Sequence, residues 1–162
     1  MTEVIEIRRE RPDHPQVVPL LDALDRYLAT LYAPEDNHIL DLEALRAPEI
    51  SFFVAWQAER AVGCAALRRM PAEPASAGQP YGEVKRMMVE PALRGQRIGA
   101  RLLQTLEAEL QAQRLRLALL ETGRDQSAAV RLYERHGYTP HAPFGGYADN
   151  GLSAFYGKRF AP

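Results

Sequence analysis

The segment that runs from Val84 to Arg101 constrains the fold of this chain more than any other. A mostly apolar run, Val84–Val89, stops at a Glu-Pro pair, and the heptapeptide Arg-Gly-Gln-Arg-Ile-Gly-Ala at 94–100 then opens a long amphipathic stretch. This order predicts a strand, a tight glycine turn and the start of a helix. Free amides and the positive dipole end of a helix N-terminus bind anions. With Arg94 and Arg97 as charged donors, the segment predicts a site for a phosphorylated ligand.

Two common phosphate loops do not match this segment. A nucleoside-triphosphate loop needs Lys-Ser/Thr after its second glycine, but Gly99 is followed by Ala100 and Arg101. A dinucleotide fingerprint needs Gly-x-Gly-x-x-Gly, whereas only the spacing Gly95-x-x-x-Gly99 is present. A nucleotide-binding protein is therefore the weaker hypothesis, and an ordinary helix N-terminus after a glycine turn remains an alternative.

The segment instead resembles the acetyl-coenzyme A loop of the GNAT superfamily of N-acetyltransferases. The family pattern is Arg/Gln-x-x-Gly-x-Gly/Ala; Gln96 to Gly99 fit its first part, Ala100 adjoins, and Arg101 stands where most members have a small residue. The resemblance implies that the loop amides hold the pyrophosphate and that two strand residues pair with the pantetheine arm. The implied cofactor-binding residues are Met88, Val89, Arg94, Gly95, Gln96, Arg97, Ile98, Gly99, Ala100, Gln126 and Tyr133.

A second segment supports the same family. After the apolar run Leu115–Leu120, a short helix is predicted over Gln126–His136, and Gly137 is placed to end it in the left-handed conformation. The string from Ala129 to Tyr138 resembles the family signature Ala-x-x-Leu-Tyr-x-x-x-Gly-Phe/Tyr. Two signatures in the order and spacing of the family make the resemblance stronger than either signature alone.

The resemblance implies one domain over residues 1–162 with the α/β (α+β) GNAT fold. That fold has a central mixed, mostly antiparallel twisted sheet of six to seven strands, flanked by about four helices. We expect the first helix to begin near Pro15 with Asp13 as its cap. The Pro-, Ala- and Gly-rich segment Met70–Tyr81 predicts a flexible connection, and the last strand is predicted over Leu152–Tyr156.

Composition excludes several other classes of protein. The formal net charge of −1 gives no broad basic surface for nucleic acid. The single cysteine, Cys64, permits no internal disulfide and is predicted to be a small core residue. No apolar run approaches a membrane span, and the first residues lack signal-peptide character, so we expect a cytoplasmic protein without a metal site.

The family mechanism assigns roles to particular side chains. In GNAT enzymes the amine attacks the thioester directly, so the enzyme positions both reactants, takes a proton from the amine and stabilises the thiolate. Tyr133 matches the signature tyrosine and is the candidate general acid, with a core tyrosine as the alternative. Glu83, at the start of the strand before the loop, is the candidate general base acting through water; a solvated strand-end charge, or an ion pair with Lys85 or Arg86, is the alternative. His38, His136 and His141 are alternative bases, because histidine titrates near neutrality.

The acceptor is predicted to be a primary amine on a small molecule, such as an amino acid or a similar metabolite. Glu35 is suited to a cationic amine and Arg86 to a carboxylate. The segments 31–35 and 143–147 resemble a bacterial GNAT subgroup of uncertain substrate. The candidate substrate residues are Tyr32, Glu35, His38, Arg86, Phe144 and Tyr147.

Two other functions stay open from the sequence. A protein or peptide N-acetyltransferase should have an open, acidic groove, whereas a small-molecule enzyme should have a closed pocket under the Tyr32 and Phe144 loops. A non-catalytic coenzyme A-binding module would keep the phosphate loop and lose the general acid. The presence of Tyr133 argues against this alternative. Family members often dimerise through the C-terminal strands, so a homodimer is also expected.

Overall fold

A mixed sheet forms the centre of the computed structural model, which describes residues 4–36 and 40–162. The strands are β1 (Ile5–Arg9), β2 (Ile50–Gln57), β3 (Arg60–Met70), β4 (Tyr81–Val89), β5 (Leu117–Gly123), β6 (Thr139–Pro140) and β7 (Ser153–Arg159). The α-helices are α1 (Val18–Leu31), α2 (Ile98–Ala112) and α3 (Ser127–Arg135). Within the described ranges there are thus three α-helices where about four were expected. The connections contain short 3-10 turns instead, among them Pro34–Asp36 and Pro91–Leu93.

The predicted mixed sheet is confirmed, and its one parallel pair determines where a cleft can form. The strands lie in the order β1-β2-β3-β4-β5-β7-β6, and all neighbours are antiparallel except β4 and β5, which α2 connects. The β4–β5 ladder contains two residue pairs, Gly82 with Ala118 and Glu83 with Leu119. Because β4 continues for six residues beyond Glu83, its edge towards β5 is open over that length.

The two faces of the sheet are covered differently. On one face, Leu102, Leu106 and Leu110 of α2 are fully buried and belong to the same core cluster as Val84 and Leu120. Their spacing is the period of a helix that buries one stripe of its surface.

The opposite face has two separate apolar clusters. Leu21 and Leu24 of α1 belong to a cluster with Val54 of β2, while Phe144 of the loop 141–152 belongs to another with Leu119 of β5. The sheet surface between these clusters carries the polar residues described below.

Two predicted boundaries were wrong. Helix α1 begins at Val18 rather than near Pro15, because both Asp13 carboxylate oxygens accept hydrogen bonds from Arg11, at 3.0 and 2.8 Å, and do not cap the helix. The last strand extends to Arg159, because β7 pairs along the whole length of β5.

The segment between β3 and β4, which was predicted to be a flexible connection, contains a hydrogen-bonded turn. It contains a 3-10 turn, Pro74–Ser76, and Ser76 is fully buried. The Ser76 hydroxyl donates to the Glu73 carbonyl and accepts from the Glu73 amide, both at 2.9 Å.

No helix in the described part of the chain is both long enough and apolar enough to cross a bilayer.

Candidate active site

A cleft of about 1390 Å³ opens where β4 and β5 stop pairing. Its walls come from the second half of α1, the ends of β4 and β5, the N-terminus of α2 and one side of α3. On the β3 side, Met88 pairs with Cys64 and Val89 with Gly63. Since the ladder to β5 has already ended, the other edge of Met88 and Val89 faces the cleft. An extended ligand could pair with this strand edge, as the resemblance implies.

The predicted phosphate loop lies at one end of the cleft. Residues 94–97 are exposed, and Gly95 has φ +88°, a conformation that strains any residue with a Cβ. Helix α2 begins directly after Arg97, with no side-chain cap and no acidic residue in its first turn. The first amides of α2 are therefore left for an anion, with the Arg94 and Arg97 side chains beside them.

At the start of α2, the surroundings of three residues show more than the sequence predicted about how they could take part in binding. The Ile98 side chain is buried in the core, so only its amide could contact a ligand. A Cβ at Gly99 would lie 3.4 Å from Leu132, so Gly99 marks the contact between α2 and α3. Arg101, the departure from the family pattern, donates from Nη1 to the Ile5 carbonyl at 2.9 Å. Its side chain is thus bonded to β1, while the residue also lines the cleft.

Tyr133 lies on the inner side of α3 and lines the cleft. Its side chain is 5% exposed and packs edge-on against Tyr138, with ring centroids 5.8 Å apart. Burial raises the pKa of the Tyr133 phenol, and the charge of the Glu121 carboxylate raises it further. The phenol is thus neutral at ordinary pH and can donate a proton or a hydrogen bond.

Glu83 belongs to a buried cluster of three polar side chains. The Tyr147 hydroxyl donates to Glu83 Oε2 at 2.5 Å, and Lys85 Nζ donates to the Tyr147 oxygen at 2.5 Å. Lys85 Nζ is also 3.5 Å from Glu83 Oε2. The Glu83 residue is only 2% exposed, yet it lines the cleft together with Lys85. Lys85 is one of the two partners expected for Glu83, but it was not predicted to line the cleft, although residues two apart on a strand share one face.

Tyr32 lines the cleft at the end of α1. Gln126 Nε2 donates to its hydroxyl at 3.4 Å. A Cβ at Gly123 would overlap that hydroxyl, so the last residue of β5 must be glycine for Tyr32 to take this place. Tyr32 and Gln126, predicted for different ligands, are therefore brought together at the mouth of the cleft.

The remaining predicted substrate residues are not all at the cleft. The Arg86 guanidinium forms an ion pair with Asp25 of α1, and its Nε has no partner in the part of the chain that is described. Phe144 is 2% exposed and packs in the core under its loop. Glu35 is exposed in the 3-10 turn after α1. His38 lies outside the described residues.

The other histidines considered as bases are in different places. His136 lines the cleft, and its Nδ1 is 2.9 Å from the Leu132 carbonyl. His141 Nδ1 is 2.8 Å from the carbonyl of Ala142. Of the two, only His136 borders the cleft.

Sequence reasoning missed several charged residues of the cleft. Glu121, at the third-last position of β5, accepts a hydrogen bond from Ser153 Oγ at 3.3 Å, and its charge raises the pKa of Tyr32, Tyr133 and Tyr147. Arg131 and Arg135 of α3 also line the cleft. Their spacing of four residues, one helical turn, was the available signal. Among residues 4–36 and 40–162, no group of His, Cys, Asp and Glu could hold a metal ion.

Comparison with known proteins gives consistent results. Residues 17–138 match the model of the acetyltransferase (GNAT) family. An IAA acetyltransferase of Azospirillum brasilense is 45% identical over 154 residues, which are 95% of this chain and 97% of that protein.

Solved structures are similar over the whole length. A Klebsiella pneumoniae protein described as an acyl-CoA N-acyltransferase superposes with a TM-score of 0.80 at 31% identity, covering 97% of this chain and 98% of that one. The PaiA N-acetyltransferase of Thermoplasma acidophilum in complex with coenzyme A gives a TM-score of 0.70 at 17% identity, covering 97% and 99%. At that lower identity the likeness concerns the fold alone.

Proposed function

The chain belongs to the acetyltransferase (GNAT) family, and from this premise we propose that it transfers an acetyl group from acetyl-coenzyme A directly to a primary amine of a small molecule. The observation that carries the proposal is the cleft itself. One end has the uncapped start of α2 with two exposed arginines, and the other has the polar cluster of Glu83 and Lys85.

The donor fits the phosphate end and the strand edge. Acetyl-coenzyme A supplies the acetyl group as a thioester that an amine nitrogen can attack. The amides at the start of α2 would hold the diphosphate, with Arg94 and Arg97 as charged donors. The open edge at Met88 and Val89 would pair with the amide groups of the pantetheine arm.

Two residues would then handle protons. Glu83 would accept the proton that the amine loses, through a water, because the carboxylate lines the cleft but is only 2% exposed. The hydrogen bond from Tyr147 would fix the orientation of that carboxylate. Tyr133 would donate to the departing sulfur, because its phenol is kept neutral by burial.

The acceptor region favours a small, positively charged amine. Two carboxylates, Glu83 and Glu121, line the cleft with Lys85 and with Arg86, whose charge Asp25 offsets. The name of one relative, IAA acetyltransferase, supports a small molecule as the acceptor but says nothing of its charge. Arg86 is less suited to an acceptor carboxylate than we expected, because Asp25 already pairs with it. The cytoplasmic location and the homodimer remain predictions.

Thiol release from acetyl-coenzyme A, measured across a panel of small amines and N-terminal peptides, tests the proposal. We expect release with one or more small amines and its reduction in Glu83→Gln. Acetylation of peptides alone would favour a protein or peptide N-acetyltransferase. If coenzyme A raises the melting temperature but no acceptor releases thiol, the protein is a binding module.

A further inference from the structure

Glu73, in the connection between β3 and β4, binds the tip of the loop 141–152 through its carboxylate. Glu73 Oε1 and Oε2 accept from the Gly145 amide at 3.0 and 3.3 Å. Glu73 Oε2 also accepts from the Tyr81 hydroxyl at 2.6 Å. Hydrogen bonds to an ionised acceptor are about twice as strong as neutral ones. Glu73 therefore ties the tip of the loop to the start of β4.

The tip of the loop is a tight turn that places an aromatic side chain on either side of it. Gly145 and Gly146 have φ +62° and +78°, and the Tyr147 amide donates to the Phe144 carbonyl at 3.0 Å. Two central residues with positive φ define the type I′ family of tight turns. This turn leaves Phe144 in the core, where its ring is 5.7 Å from that of Tyr81, and directs the Tyr147 hydroxyl to Glu83.

Glu73 is itself fixed in place. Its amide and carbonyl both bond to the buried Ser76 hydroxyl, and the Gly78 amide donates to the same carbonyl at 3.1 Å. A chain of contacts therefore leads from the 3-10 turn through Glu73 and the Gly145 amide to Tyr147. It ends at the carboxylate that lines the cleft.

We propose that Glu73 is a positioning residue for acetyl transfer, which holds the loop 141–152 so that Tyr147 keeps Glu83 and Lys85 in their working geometry. The inference rests on the proposed role of Glu83. It adds a residue that does not line the cleft and that belongs to a segment whose composition predicted only a flexible connection. Burial and the Glu83 carboxylate keep the Tyr147 phenol protonated, so it stays a donor to Glu83.

The decisive variants are Glu73→Ala, Glu73→Gln, Tyr147→Phe and the double variant of Glu73→Ala with Tyr147→Phe. Because small displacements of catalytic groups can cost up to about a hundredfold, we expect Glu73→Ala to lower kcat by about tenfold. The KM for acetyl-coenzyme A should not change, since the phosphate loop is at the other end of the cleft. Glu73→Gln, which retains one acceptor oxygen, should recover part of kcat. The double variant should be no slower than Tyr147→Phe alone, because both changes break one chain of contacts.

Amide hydrogen exchange at Gly145 and Tyr147 gives a readout without an acceptor. Exchange should rise in Glu73→Ala but not in Asp149→Asn, an exposed carboxylate on the same loop. Unchanged exchange in Glu73→Ala would show that Glu73 does not hold the loop and would overturn the proposal. Faster exchange with an unchanged kcat, or additive effects in the double variant, would leave Glu73 a structural tie only and overturn the proposal. If Glu83→Gln retains full kcat, the proposed role of Glu83 fails. The exchange data still decide, separately, whether Glu73 holds the loop 141–152.

Discussion

Single residues that line the cleft, or contact residues that line it, act through burial as much as through their chemical type. Tyr133 and Tyr147 are both phenols whose pKa burial raises, but they are surrounded differently. Tyr147 is engaged by Glu83 and Lys85, whereas Tyr133 stands on α3 against the ring of Tyr138. The first arrangement suits a hydrogen bond that orients a carboxylate. The second suits a donor directed into the cleft.

Tyr133→Phe tests the acid assignment at this scale. The substitution keeps the ring and its packing on Tyr138 but removes the donor. Because general acid catalysis contributes about a hundredfold or more, kcat should fall by roughly that factor while the affinity for coenzyme A changes little. Steady-state rates and coenzyme titration measure the two effects.

The matched control is Tyr156→Phe, which removes a hydroxyl from a half-buried tyrosine on β7. That variant should retain its kcat. A Tyr133→Phe enzyme with the same kcat as the parent would make Tyr133 a packing residue.

At the scale of elements, the start of α2 combines a strained turn with unpaired amides. Gly95 and Arg97 both have positive φ, which turns the chain sharply between the 3-10 turn Pro91–Leu93 and the helix. The glycine is suited to that conformation, whereas Arg97 adopts it at a cost of about 1 kcal/mol. The turn that results places Arg97 directly before the first amides of α2, where a phosphate would bind.

Arg97→Gln should weaken binding of coenzyme A. The loss of a charge-assisted hydrogen bond costs about 1.5–3 kcal/mol, so we expect the Kd to rise by about tenfold or more. Isothermal titration at low and high salt measures the change. The parent protein should lose affinity with salt more steeply than the variant, because a charged contact is screened.

Arg114→Gln is the control for net charge, since Arg114 is exposed beyond the opposite end of α2. Its Kd should equal that of the parent. Equal Kd values in all three proteins would contradict a phosphate site at Arg97.

At the scale of the whole molecule, the core contains several acids that must stay neutral. Burial raises the pKa of the Cys64 thiol to about 12 from 9.0, and raises the pKa of Tyr133, Tyr138 and Tyr147 above 10.0. In the unfolded chain these groups lose their protons at a lower pH than in the folded chain. Their contribution to stability is therefore complete below pH 9 and is lost as the pH rises towards their folded values.

The free energy of unfolding should accordingly fall as the pH rises above about 9. Each group adds at most about 1.4 kcal/mol per pH unit to the decline. Urea denaturation at pH 8, 9, 10 and 11 measures it. Tyr138→Phe removes one titrating phenol and should make the decline less steep. A free energy that is constant up to pH 11 would show that these groups ionise freely in the folded protein.

Much of the fold could be predicted because its signals are local. The glycine turn before α2 and the helix that Gly137 ends depend on residues close together in the chain, and both were confirmed. The mixed sheet followed from the family resemblance, and Cys64 is in the core as predicted. The start of α1 was wrong because Asp13, a good cap by residue type, pairs with Arg11 instead.

The sequence by itself determined the family and the fold, through the resemblance of two short segments, and it predicts the anion-binding turn, because these signals lie in residues close together in the chain. Only the tertiary structure decided which polar side chains meet at the acceptor end. The contact of Tyr147 with Glu83 joins residues 64 apart in the chain, and the Arg86–Asp25 pair joins residues 61 apart. Both depend on where β4 leaves β5 and on how α1 and the loop 141–152 cover the exposed sheet. No local pattern contains that information, because it arises from the packing of elements that are distant in the chain.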